Sequence, residues 1–123
     1  FVLVALLGGL AVCLGAFGAH ALKPYLNEYQ KDIYNKAVFY QFVHVLAALV
    51  ALLSAQLFSQ KAFLLPALLF ILGMLCFSGS LYILALNHIL QFPTVLIGPV
   101  TPIGGVLFIF GWVTMGYQFY KNV

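Results

Sequence analysis

Apolar positions run along the chain in four long uncharged stretches, at about residues 1–22, 37–58, 63–86 and 96–119. Each is close to the roughly 20 residues that a helix needs to cross the hydrocarbon of a bilayer. The pattern predicts an all-α integral membrane four-helix bundle, a single domain over residues 1–123. The charged residues fall outside these stretches, in Lys23–Lys36, at Lys61 and at Lys121.

The first linker, KPYLNEYQKDIYNK, opens with a proline that ends helix 1. Leu26, Tyr29, Ile33 and Ala37 then recur at helical spacing, and tyrosines suit the headgroup zone. A short interfacial helix between spans 1 and 2 is expected there, with Glu28 and Asp32 as solvated surface acids rather than an ion site. Ile89–Gly105 is also uncharged but is broken by Pro93, Gly98, Pro99 and Pro102. Thr101 as N-cap and Pro102 as first helical residue would start helix 4 cleanly. Residues 89–100 would then be irregular or partly helical, their backbone groups covered by protein or water.

Small residues recur four apart at Ala11, Gly15 and Ala19 on helix 1 and at Ala47, Ala51 and Ala55 on helix 2, which lets neighbouring backbones approach. Their simplest role is packing. Ala19-His20-Ala21 also resembles the A-x-A site of a signal peptide, but the preceding apolar run is longer than the usual h-region, so a membrane span is the expectation. Cys13 and Cys76 lie in mid-span and are expected to be two free thiols.

Composition narrows the function. Of 123 residues 65% are hydrophobic and 6% charged, with a mean hydropathy of +1.14. An ordinary soluble domain carries about 25% charged residues. Five lysines, no arginine and two acids leave a formal charge of +3 with no basic stripe, so nucleic acid is not an expected partner. No GxSxG, HExxH, CxxC or glycine-lysine phosphate loop is present, and no acid lies within a span to orient a histidine. The expectation is a protein that is not an enzyme, with no cofactor and no metal.

The unusual polarity gathers on one side. Helices 1 and 3 end, and helices 2 and 4 begin, on the same side of the membrane. His20, Tyr40, Gln41, His44, Ser78, Ser80, Tyr82 and Thr101 all fall toward it. Tyr40, Gln41 and His44 share a helix face by their three- and four-residue spacing. Ser78 and Tyr82 share a side of helix 3, with Ser80 pointing elsewhere. A polar cap shared by all four helices is therefore expected, either as an interhelical hydrogen-bond network or as a ligand site. A lipid headgroup or a quinone, contacting His20, Gln41 and His44, suits it better than metal or haem, since no Cys, Asp or Glu completes a ligand set.

GAFGAH at 15–20, VFYQFVH at 38–44, FSGSLY at 77–82 and TPIGG at 101–105, in that order and at that spacing, resemble the small bacterial membrane proteins known as the domain of unknown function 423 family, which has a small eukaryotic transmembrane relative. The resemblance covers essentially the whole chain. It implies a four-span inner-membrane protein whose signature residues include His20, Gln41, His44, Ser78, Ser80, Thr101 and Pro102, and it implies no activity. Leaning on it, both termini are expected in the cytoplasm. The expected partners are membrane lipids and either a larger membrane protein or a second copy of the chain, for which the protein would be an accessory or structural component. The surface of helix 4 around Gly104, Gly111 and Trp112 motivates that expectation.

Overall fold

The computed structural model describes residues 1–122, which are helical almost throughout. Four helical rods run up, down, up and down, each long and apolar enough to cross a membrane. The first is α1, Val2–Ala19, and the second is α2, Glu28–Leu57. The third rod joins α3 (Leu64–Gly73), a π-helical turn (Met74–Ser78) and α4 (Gly79–Ala85) without a break. Two single-turn helices, α5 (Asn87–Leu90) and α6 (Thr94–Ile97), lead into the fourth rod, α7 (Val100–Asn122).

The third rod packs between α2 and α7, while α1 lies along α2. Its central place explains why both Ser78 and Ser80 are buried, since neighbours cover two of its sides. The main core joins Val45, Ala48 and Ala51 of α2 to Ala67, Phe70 and Met74 of the third rod and Phe108 and Met115 of α7. Alanines on α2 against phenylalanines opposite let bulky rings fill the space that small side chains leave.

The linker after α1 departs from the expected separate interfacial helix. Lys23–Tyr25 form one 3₁₀ turn, and α2 then begins at Glu28 and continues unbroken into the second span. The cause is a capping box. The Asn27 side chain accepts the Gln30 N–H at 2.9 Å, and the Gln30 side chain accepts the Asn27 N–H at 2.9 Å. Two orphan donors are thereby satisfied, and no proline or glycine between 28 and 57 interrupts the helix. At its other end Ser59 takes φ 52°, and the Gln60 N–H reaches Ala55 O at 3.0 Å, closing a Schellman-type turn.

Residues 89–100 are partly helical, as expected: Gln91 is left-handed, Pro93 extended, and α6 one turn long. The start of the fourth rod differs from the sequence expectation. Its helix begins at Val100, so Thr101 is not the N-cap and Pro102 stands in the first turn, where its missing N–H still leaves no helix bond unmade. Freed from capping, the Thr101 hydroxyl is available to the third rod.

Candidate functional site

The polar residues that the sequence groups into one cap form separate sets in the fold. Gln41 faces α1, where its Nε2 donates to Leu7 O at 2.8 Å. Its Oε1 accepts the Tyr82 hydroxyl at 2.9 Å, so one amide ties α2 to both α1 and α4. Tyr34, edge-on to Tyr82 with ring centroids 5.1 Å apart, adds a second tie by donating to Leu14 O at 2.8 Å.

Ser80 and Thr101 make the next set, 2.6 Å apart. The Ser80 hydroxyl donates to Phe77 O at 2.9 Å, so its single proton is spent and Thr101 is the donor of the shared bond. Ser78, two residues earlier and inside the π-helical turn, is 1% exposed, and its hydroxyl has no hydrogen-bond partner among the described residues. His20, the C-cap of α1, is exposed and stands apart from all of these.

His44, about 60° around α2 from Gln41, turns instead into the groove between α2 and α7. Its Nδ1 lies 2.7 Å from Tyr40 O, and its Nε2 lies 3.2 Å from the Trp112 indole nitrogen. An indole N–H only donates and a carbonyl only accepts, so Nε2 is the acceptor and Nδ1 carries the proton. That is a neutral imidazole with its tautomer set by its two partners. The ring lies flat on Phe108, centroids 3.4 Å apart and 7° from parallel, and is 3% exposed.

These groups border a groove of about 420 Å³ between α2 and α7. Phe77 of the third rod and Phe108 line it; Tyr40 and His44 stand on one wall, Gly105 and Trp112 on the other. Phe39 and Ile109 at its mouth are 63% exposed each, so it opens sideways, toward lipid if the rods span a bilayer. Its volume falls within the range of about 300–1,000 Å³ common for small-ligand pockets, and its lining is apolar with few polar groups, as such pockets require. The π-helical turn presents Phe77 to this groove, and turns of this kind are frequent at functional sites.

Trp112 is 46% exposed, as an outward helix 4 surface requires, whereas Gly104 and Gly111 of that expected surface are buried against Phe77 and Phe70 of the third rod. Sequence reasoning missed the bond from Trp112 to His44, Phe108, and the link from Gln30 Nε2 to His88 Nδ1 at 3.1 Å, which fastens α5 to the start of α2. The available signal for Trp112 was chemical: an indole N–H within hydrocarbon needs an acceptor. Cys13 and Cys76 are free, as expected.

The family model described as "Protein of unknown function (DUF423)" matches residues 14–105, which hold every element of the Gln41 and Ser80 sets except Leu7. The chain belongs to this family. A UPF0382 membrane protein of Staphylococcus epidermidis is 43% identical over 114 residues, covering 93% of this chain and 88% of the relative. A Haemophilus influenzae UPF0382 membrane protein is 39% identical over 120 residues, covering 98% and 92%. The Escherichia coli UPF0382 inner membrane protein YgdD is 37% identical over 114 residues, covering 93% and 83%. No solved structure matches the chain. With relatives named as membrane proteins and four rods of spanning length, this DUF423 member is a multi-pass membrane protein.

Proposed function

We propose that the protein is a non-catalytic membrane module whose lipid-facing groove binds the flat ring of a membrane-soluble ligand of the quinone class. The observation that carries this is the stack of His44 on Phe108 beside Tyr40, Phe77 and Trp112, in a groove of about 420 Å³. Aromatic faces accept a planar ring with offset stacking. The Tyr40 hydroxyl is not spent on any of the bonds described above, and it stands ready to donate to a ring carbonyl. Quinone reduction needs a proton supply and a redox partner, whereas His44 is neutral with both nitrogens occupied; that favours binding over turnover. This reading moves the ligand from the expected contacts His20 and Gln41 to the side of α2 that faces α7.

Trp112 is the single tryptophan of the chain, which makes the test direct. Titrating a short-chain quinone into the detergent-solubilised protein should quench its fluorescence saturably, and Gly105→Leu, which fills the groove, should abolish saturation. Quenching that rises without limit and is the same in the variant would overturn the proposal.

A second reading makes the protein an accessory subunit of a larger membrane assembly, or a self-associating one. Gly105, Trp112 and Gly116 lie on one face of α7, and nothing stands within 4 Å of where a Cβ of Gly116 would be, which leaves room for another helix. Migration only as a free monomer from gently solubilised native membranes would rule it out. In either reading both termini are assigned to the cytoplasm on the family's pattern, and a reporter fused beyond α7 and active only in the cytoplasm would bear that out.

A further inference from the structure

A second cavity lies where α1 ends and α2 begins, away from the aromatic groove and independent of what the groove binds. It has a volume of about 240 Å³; Lys23, Lys31 and Asn35 supply its polar wall, Leu26 and Tyr34 its apolar one. Its depth follows from the sequence. It sits just past the apolar run of α1, in the segment where three of the five lysines gather and where Tyr25 and Tyr29 are exposed. Aromatic and basic residues at the end of a span mark the headgroup layer.

The apolar wall is rigid. Tyr34 is 2% exposed, is anchored through its hydroxyl to Leu14 O, and packs so closely under Gly18 that a Cβ there would enter its ring. The charge balance is positive. Asp32 is held by Lys36 at 2.7 Å, outside the cavity, and Glu28 is held by Lys31 at 2.8 Å with its own side chain 92% exposed. The Lys31 ammonium keeps two further donors, and Lys23 makes no ion pair among the described residues. The first turn of α2 borders the same space, and the positive end of its dipole adds to the lysines.

We infer that this cavity holds the phosphate of an anionic phospholipid, with Lys23 and Lys31 on the phosphate oxygens, Asn35 donating to the glycerol, and the acyl chains leaving along Leu26. A phosphate at headgroup depth is the anion that a membrane supplies in quantity, and juxtamembrane lysines attract it.

The test uses the whole protein in phosphatidylcholine bilayer discs with increasing phosphatidylglycerol, reading retained lipid by native mass spectrometry. The wild-type chain should retain phosphatidylglycerol. Lys23→Gln and Lys31→Gln should each weaken retention about fivefold. Asn35→Asp, which leaves both lysines and places a like charge in the cavity, should weaken it as well. Lys121→Gln, at the other end of the bundle, should leave it unchanged. Retention unaltered in the double lysine variant, or lowered equally by Lys121→Gln, would overturn the inference. Displacement of the lipid by inorganic phosphate at equal concentration would assign the site to free phosphate and overturn the lipid as its source.

Discussion

The indole of Trp112 donates to His44 across 68 positions of sequence, and this bond at 3.2 Å is the polar link between α2 and α7 at the groove. It also sets the imidazole tautomer, because the accepting nitrogen must be unprotonated. Trp112→Phe keeps much of the ring and removes the donor. Interhelical hydrogen bonds in membranes average about 0.6 kcal/mol by double-mutant cycles. A cycle of Trp112→Phe with His44→Ala, read by unfolding in mixed micelles, should give a coupling of about that size, and additivity of the two would show that the bond contributes nothing.

Gly104 and Gly105 are neighbours with opposite expected outcomes. A Cβ at Gly104 would run into the backbone nitrogen of Phe77, and the π-helical turn cannot yield as a flexible side chain would. At Gly105 the nearest atoms are the Phe77 ring edge at 3.8 Å, an ordinary contact. Gly104→Ala should therefore cost about 1–3 kcal/mol by pushing α7 off the third rod. Gly105→Ala should be close to neutral in the same unfolding assay.

The exposed start of α2 carries a pH dependence whose sign follows from its two ion pairs. The hydrogen bond and charge of Lys31 hold the Glu28 carboxyl below its usual range, and the hydrogen bond and charge of Asp32 raise Lys36 above its own. The Glu28 contribution is present above the ordinary carboxylate range and is lost as pH falls through the lowered value. The Lys36 contribution is present below the ordinary lysine range and is lost as pH rises through the raised one. Amide exchange of residues 28–36 should thus be slowest, relative to the intrinsic rate, on a plateau between the two ranges. The spans themselves should not respond, since exposed pairs contribute little and salt screens them.

How much of this was legible depends on what sets each feature. The four rods follow from run length and charge placement, which bilayer thickness makes decisive. Partners within the bundle do not follow from shared faces alone. Gln41 and His44 are three residues apart, about 60° around the helix, and that angle is enough to send one to α1 and the other to α7. The continuous α2 was readable in part, since Asn27 and Gln30 stand at capping-box spacing. Nothing in MLCFS announces a π-helical turn, and its close contact with α7 at Gly104 is a tertiary feature that local sequence does not display.

Ser78 separates a structural role for that turn from a binding one. A buried hydroxyl without a partner costs about 1–3 kcal/mol, so if the turn serves packing alone, Ser78→Ala should stabilise the bundle or leave it unchanged. Ser80→Ala, which removes a bond to Thr101 made at 2.6 Å, should instead destabilise it by about 0.5–1.5 kcal/mol. The pair therefore has opposite expected signs, although both serines are small, buried and two positions apart on one rod. A marked loss of stability in Ser78→Ala would mean that its hydroxyl is satisfied in the membrane by a group outside the chain. Water reaching the π-helical turn would then be the first candidate, since a polar group in hydrocarbon is retained only where something answers it. Comparing the two variants by unfolding in the same lipid decides between these outcomes.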